Sequence, residues 1–247
     1  MTPVFSIITV SYQSEKTIKS TIESVLAQSY AHIEYLIIDG ASKDETVAIA
    51  EGYRDAFEQK GYTYRIVSEP DGGIYDAMNK GIRLATGDYI GIINSDDWYE
   101  ADAVEKACAC LQKEHCDISV GYIRMHKTDG TNFVKRAKLA KLQTSRNWNH
   151  PTMFVKAEVY KEHPFLQKGI HDDYGFYLAR VKAGADIRII PQVLANFRMG
   201  GVSNARSMKA CRKRIQDRYQ WCYRVNGYSR LYMIECVLIE VAKYVLG

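Results

Sequence analysis

The chain contains no run of about 20 apolar residues, the length a helix needs to cross the hydrocarbon core of a bilayer, so no spanning segment is expected. It has no GxxxxGK[ST] sequence, which excludes a P-loop, and no GxGxxG after its first strand pattern, which counts against a dinucleotide oxidoreductase. Its six cysteines include no CxxC pair. Cys108, Cys110, His115 and Cys116 crowd together, but without the paired spacing of a structural zinc site. No secretory leader precedes the first strand, so reduced thiols and a cytoplasmic location are expected. Charge of one sign is scarce too: 33 Lys and Arg face 29 Asp and Glu, for a net charge of +4, which gives no reason to expect nucleic acid as a partner. Repeats, low-complexity stretches and an evident linker are missing, which leaves one large domain, or one domain with an appendage.

What is present is an apolar fraction of 47% over 247 residues, enough for a sizeable core. Strand and helix patterns alternate through the first half. Strands are predicted over residues 4–10, 33–38, 62–67 and 89–93, with amphipathic helices between them. This βαβαβαβ order predicts a largely parallel sheet with right-handed crossovers. The second half is less regular. Helices are expected over 101–113 and 173–183, and strands over 117–125, 152–155 and 186–190, the last closed by Pro191. A further extended segment is expected over 193–199, and Asp129-Gly130 signals a hairpin turn. A basic helical pattern over 205–225 and an apolar one over 231–246 finish the chain.

The most informative segment is DYIGIINSDDWY, residues 88–99. An isoleucine-rich strand, covered on both faces, ends in Asn94-Ser95-Asp96-Asp97. Carboxylates at that end of a parallel strand lie in the crevice where α/β folds bind ligands, and hard oxygens there suit Mg²⁺ or Mn²⁺ on a diphosphate. The same four residues also suit a turn that caps the next helix. Asp39 and Asp71 follow the ends of neighbouring strands. Each alone fits a helix cap, but together with Asp96 they favour one polar cleft. Gly72-Gly73 precedes a helix, where backbone amides face an anion or simply form a turn. His171-Asp172-Asp173 also precedes a helix, and its acids fit either an N-cap or a general base.

Taken in order, SIITVSYQS, YLIIDGASKDET, EPDGGIYDAMNKGI, GDYIGIINSDDWY, WNHPTMFVKAEVY and HDDYGFYLARVKAGADIRIIPQVLANFRMGGVS resemble the inverting family 2 glycosyltransferases, over roughly residues 4–203. The nearest flavour is that of bacterial O-antigen and exopolysaccharide transferases. The resemblance implies a GT-A fold, with a Rossmann-like, mostly parallel central sheet flanked by helices. It implies a catalytic domain over 1–204, with a nucleotide-binding half to about residue 99 and an acceptor-binding half beyond it, and a helical extension over 205–247.

By the same resemblance, Ser11 and Tyr12 lie in the nucleotide pocket, Asp39 accepts the base N–H, and Asp71 lies near base or ribose. Asn79 and Lys80 approach the diphosphate. Asp96, with Asn94 in place of the first acid of a D-x-D motif, holds the metal. Asp97 faces the donor sugar, and Asp173 is the base. His150 is followed by Pro151 where the family more often has Gln, and Gly175 stands where an acid usually follows the base. Arg198, next to Gly200-Gly201, fits either a phosphate-contacting lid or a surface ion pair.

The implied reaction moves a hexose, by analogy from UDP-glucose or UDP-galactose, to a glycan or polyprenyl-diphosphate-linked saccharide. The metal sits on the diphosphate and Asp173 deprotonates the acceptor hydroxyl. A sugar-phosphate nucleotidyltransferase would need a Gly-rich, Arg-containing first loop, which Ser11-Tyr12-Gln13-Ser14 is not. A non-catalytic nucleotide-sugar binder is the rival from another class. The basic helix and apolar tail suit an inner-membrane surface, or equally a homodimer contact or a cover for the core.

Overall fold

The computed structural model describes residues 2–200 and 207–246. Its first strands are β1 (Phe5–Ser11) and β2 (Ile33–Asp39), buried at every position. Side chains alternate across them: Phe5, Ile7, Tyr35 and Ile37 face one hydrophobic cluster, and Ile8, Val10, Leu36 and Ile38 face another. Two cores, one on each face, are what a parallel sheet between helix layers requires. Helix α1 (Ile18–Leu26) lays Ile18, Ile22 and Val25 on the first. Helices α2 (Thr46–Glu51) and α3 (Arg54–Gln59) lead to β3 (Thr63–Ser68), and α4 (Ile74–Leu84) lays Met78 and Ile82 on the second core. The α4 backbone approaches the sheet closely at Gly81, where a Cβ would sit 2.6 Å from Ile8 Cγ2.

Strand β4 (Tyr89–Asn94) pairs in parallel with β1 on the side opposite β2, so the strand order reverses at β1. Register then sets Ser68, Asp39, Ser11 and the β4 terminus at Asn94 along one edge, the carboxyl ends of four parallel strands. A crevice at that edge, where order reverses, is the ligand position of an open α/β sheet.

The second half adds β5 (Trp98–Tyr99), α5 (Ala103–Glu114), β6 (Ile118–His126) and β7 (Asn132–Lys135), then a 3₁₀ turn (His150–Thr152) and β8 (Met153–Lys156). It continues with α6 (Ala157–Glu162), α7 (Asp172–Lys182), β9 (Ile187–Arg198), α8 (Met208–Asp217), a π-helical turn (Arg218–Arg224) and α9 (Tyr232–Leu246). Among the described residues nine strands form one mixed sheet, ordered β3-β2-β1-β4-β8-β6-β9-β5, with β7 hairpinned on β6. The hairpin turns at Asp129-Gly130, as its sequence predicts.

Two expectations are corrected. Pro191 does not close a strand. It falls with Gln192 in a bulge, where the register jumps from Gly121↔Ile190 to Tyr122↔Val193, so the segments at 186–190 and 193–199 are one long strand. A proline without an N–H is tolerated at such a bulge because no ladder bond is demanded there. The basic stretch over 205–225 is helical from residue 208, α8 running on without a break into the π-helical turn. The expectation corrected is that its cations all face outward, since Arg214 and Arg218 are 4% and 2% exposed and both pair with Glu240. Residues 201–206, which hold Gly201 of the expected lid and Arg206 of the basic run, lie outside the described residues.

Candidate active site

Three groups of side chains meet the crevice. The first surrounds Asp39, which is fully buried. Its carboxylate accepts from Ser11 Oγ (3.0 Å), Ser42 Oγ (2.5 Å), Ser42 N (2.8 Å) and Ser68 Oγ (2.7 Å). Ser42 Oγ also accepts from Gln13 N, tying the loop after β1 to the loop after β2. Asp39 therefore knots three strand ends. In this structure both of its oxygens are engaged and the residue is fully buried. The open surface belongs to its neighbours. Tyr12 is 62% exposed, and a Cβ on Gly40 would lie 2.7 Å from Asp71 Oδ2 and 3.3 Å from the Tyr12 ring. A flat aromatic and a carboxylate thus flank a patch of bare backbone. Asp71 Oδ1 accepts from Gly73 N, which shapes the turn into α4, with Gly73 at φ 117°.

The second group lies at the end of β4. Asn94 Oδ1 and Asp97 Oδ2 are buried with no hydrogen-bond partner among the described residues. Asp97 Oδ1 accepts from Arg198 N (3.0 Å), a contact created by the pairing of β5 with β9. Arg198 Nε reaches the Asp96 carbonyl, and its guanidinium lies 5.2 Å over the Trp98 ring. Burial pushes the Asp97 carboxyl well above its ordinary range, and the neighbouring Asp96 adds to the rise. Burial raises Asp96 as well, against the pull of its own backbone amide and of Arg198. Two carboxylates and an amide oxygen short of positive charge and donors are a fit for a hard divalent cation. Among the described residues no group of three or more His, Cys, Asp or Glu could hold a metal alone.

The third group is centred on Asp173, in the first turn of α7. Its Oδ1 accepts from Tyr75 OH (2.9 Å) and Tyr174 N (2.8 Å), and its Oδ2 lies 3.9 Å from His150 Nδ1. Burial lowers the His150 pKa, although Asp173 pulls it back up. A neutral imidazole beside a carboxylate that keeps one-fifth of its side chain exposed leaves that carboxylate free to accept a proton. Geometry gives the two acids different surroundings. Asp172 is 4% exposed and its oxygens accept from Lys168 N and Gly169 N, so it closes the loop before α7, whereas Asp173 faces Tyr75 and His150.

The groups are linked in series. Ser14 Oγ and Ser95 Oγ share a hydrogen bond of 2.7 Å between the first and second, and the Asp71–Gly73 turn runs into Tyr75 of the third. Two expected diphosphate contacts are otherwise occupied. Asn79 exchanges two hydrogen bonds of 2.9 Å with the Phe165 backbone, which clamps the two segments together. Lys80 pairs with Glu69 at 2.8 Å. Sequence reasoning missed Tyr75, Trp98 and Ser42. A tyrosine two residues after Gly72-Gly73 was the available signal for the first. Nothing local announces that Trp98 underlies Arg198.

The family model of Glycosyl transferase family 2 matches residues 6–170, the stretch that holds the first group, the Asn94–Trp98 part of the second, Tyr75 and His150. The chain belongs to glycosyltransferase family 2. A PGL/p-HBAD biosynthesis glycosyltransferase of Mycobacterium bovis is 29% identical over 222 residues, covering 86% of this chain and 84% of that one. An uncharacterized glycosyltransferase of Mycobacterium tuberculosis is 40% identical over 111 residues, and the match spans only 40% of its length. The family 2 chain also has the fold of a Pyrobaculum calidifontis mannosyltransferase solved with GDP-Man and Mn²⁺. That likeness has a TM-score of 0.70 at 15% identity, over 99% of this chain and 70% of the other. The fold is GT-A-like, an α/β sheet with C-terminal helices. Among the described residues no helix is long and apolar enough to cross a membrane.

Proposed function

We propose that this protein is an inverting, metal-dependent glycosyltransferase that moves a hexose from a nucleotide sugar to a hydroxyl of a glycan or lipid-linked saccharide in bacterial surface polysaccharide synthesis. The observation that carries the reading is Asp173, a half-open carboxylate held by Tyr75 next to a neutral His150. Family membership and the relatives support it. Solved neighbours were captured with UDP-GlcNAc and with GDP-Man. Six free cysteines fit a reducing, cytoplasmic setting.

In the proposed site Tyr12 offers a stacking face to the base, and Asp71 an acceptor to base or ribose. Asp96, with Asn94, would hold the divalent ion, which supplies charge stabilisation to the departing diphosphate. Asp97, kept in place by the Arg198 amide, faces the donor side of the cleft, and the Arg198 guanidinium, held by the Asp96 carbonyl and over the Trp98 ring, is a cation beside it. Asp173 takes the proton from the acceptor hydroxyl as it attacks from the opposite face, a role worth about 10²–10⁴-fold. The Tyr75 hydroxyl holds the carboxylate in place while it does so.

The test is release of nucleoside diphosphate from a panel of donors, with UDP-glucose and UDP-galactose first and UDP-GlcNAc and GDP-mannose next, with and without EDTA. Metal-dependent release supports the reading. A chain that binds donors yet never turns one over, with any acceptor extract, is a binding protein instead.

A further inference from the structure

The π-helical turn and the residues after it hold α7 with their inner side, and α9 packs on that turn through Glu235, which accepts from Tyr223 OH. Arg218 Nη2 contacts His171 Nε2 at 3.1 Å, Cys222 Sγ donates to the His171 carbonyl, the Tyr223 and Tyr174 hydroxyls share a hydrogen bond, and Asn226 donates to the Gly175 carbonyl. The outer side of α9 makes none of these contacts. Leu231, Ile234, Leu238 and Val241 recur at helical spacing and are 72%, 57%, 62% and 51% exposed. Val237 lies beside them, also exposed. A contiguous apolar stripe of this kind on a water-exposed helix marks an interaction surface.

Charge identifies the partner. The acids of α9 turn inward: Glu240 is 2% exposed against Arg214 and Arg218, and Glu235 accepts from Tyr223 OH. Every exposed acidic or basic side chain described between residues 207 and 242 is cationic, namely Lys209, Arg212, Lys213, Arg224 and Arg230. Arg230 stands directly before the stripe, and Arg224 lies next to the exposed Val225. We infer that this face docks on an anionic lipid bilayer, with α9 lying in the plane of the interface and the cations at headgroup level. A parallel pairing of the stripe with its copy on a second chain would bring Arg230 against Arg230, with no exposed acid among the described residues 207–242 to answer it. Because α9 packs on the turn that grips residues 171–175, a docked chain presents the Asp173 helix at a fixed height above the lipid. The docking itself does not depend on the sugar-transfer reading, but its use for a lipid-borne acceptor does.

The full chain is tested by co-sedimentation with phosphatidylcholine vesicles and with phosphatidylcholine–phosphatidylglycerol vesicles, at low and high salt. It should pellet with the anionic vesicles only, and less as salt rises. Ile234→Gln with Leu238→Gln should weaken partitioning at least about tenfold. Arg230→Gln and Arg224→Gln should each weaken it about fivefold. Donor turnover on a soluble acceptor should be unchanged in all of these variants, which separates a failure of docking from a failure of the enzymatic reading. The inference is overturned if the wild type ignores anionic vesicles. It is also overturned if it binds them independently of salt, or if the wild type is a dimer in vesicle-free buffer that the Ile234/Leu238 variant converts to monomer. The salt dependence of the wild type decides the matter even where a variant fails to fold.

Discussion

Tyr75 donates its hydroxyl to Oδ1 of Asp173 at 2.9 Å, across 98 positions of sequence. The bond joins the glycine turn at the head of α4 to the first turn of α7, and so couples the donor side of the cleft to the proposed base. Burial, and then Asp173 itself, push the Tyr75 hydroxyl well above its ordinary pKa, so it is a donor at any working pH.

Removing that donor has a readable consequence. In Tyr75→Phe the carboxylate loses the hydrogen bond that fixes its orientation, so transfer should fall about tenfold, the worth of one bond to a charged group. Donor affinity, measured by titration calorimetry, should be unchanged. Transfer at the wild-type rate would contradict a positioning role for Tyr75 at Asp173.

Asp172 and Asp173 should separate cleanly. Asp172→Ala strips the acceptor from Lys168 N and Gly169 N and should lower the melting temperature by about 2–6 °C, through two unpaired backbone donors. Asp173→Asn keeps an oxygen for Tyr75 and should melt near the wild type. Differential scanning calorimetry of the two variants checks this. The reverse order of stability would exchange their roles.

Asp97 is held at a cost in stability. Its folded pKa is raised from the ordinary 3.8, so the folded state binds a proton more readily than the unfolded chain. The contribution of this group to stability is therefore greatest at low pH and declines as pH rises from about 3.8 through the raised value. Asp97→Asn should remove that decline. Its melting temperature should exceed that of the wild type by about 2–4 °C at neutral pH, with the gap closing toward about pH 4. Added Mn²⁺ should narrow the gap by stabilising the wild type. A melting temperature for Asp97→Asn below that of the wild type at neutral pH would contradict the burial argument.

His150 gives the opposite slope. Its folded pKa is depressed below 6.5, so the unfolded chain binds the proton more readily. Stability that is full above 6.5 is lost as pH falls from there toward the folded value. Chemical denaturation from about pH 7.5 to about pH 5.5 should show a steeper loss for the wild type than for His150→Asn. Parallel curves would mean that the imidazole is not buried in its neutral form.

The parts of this molecule legible in sequence are those with a short period. The alternation along Phe5–Ser11 and Ile33–Asp39, the spacing of Ile18, Ile22 and Val25, and the Asp129-Gly130 turn each announce themselves within one element. Pro191 misled because a local rule, that proline ends a strand, ignores a bulge set by the partner β6. Within the site, sequence order brings Asp39, Asp96 and Asp173 to strand and helix ends but does not say which oxygens stay open. Asp39 is saturated by serines from two other strand ends and one loop, and Asn79 by a backbone 86 positions away. Arg214 and Arg218 look like a solvated basic face until Glu240, on another helix, turns them inward. Hydrogen bonding between distant segments decides these cases, and no window of sequence contains both partners.

One comparison bears hardest on the catalytic reading: Asp173→Asn against wild type, with donor binding by calorimetry and transfer by single turnover on the same preparations. Equal donor affinity, with transfer reduced by about 10² or more, is the predicted result. Transfer at the wild-type rate by Asp173→Asn would contradict it.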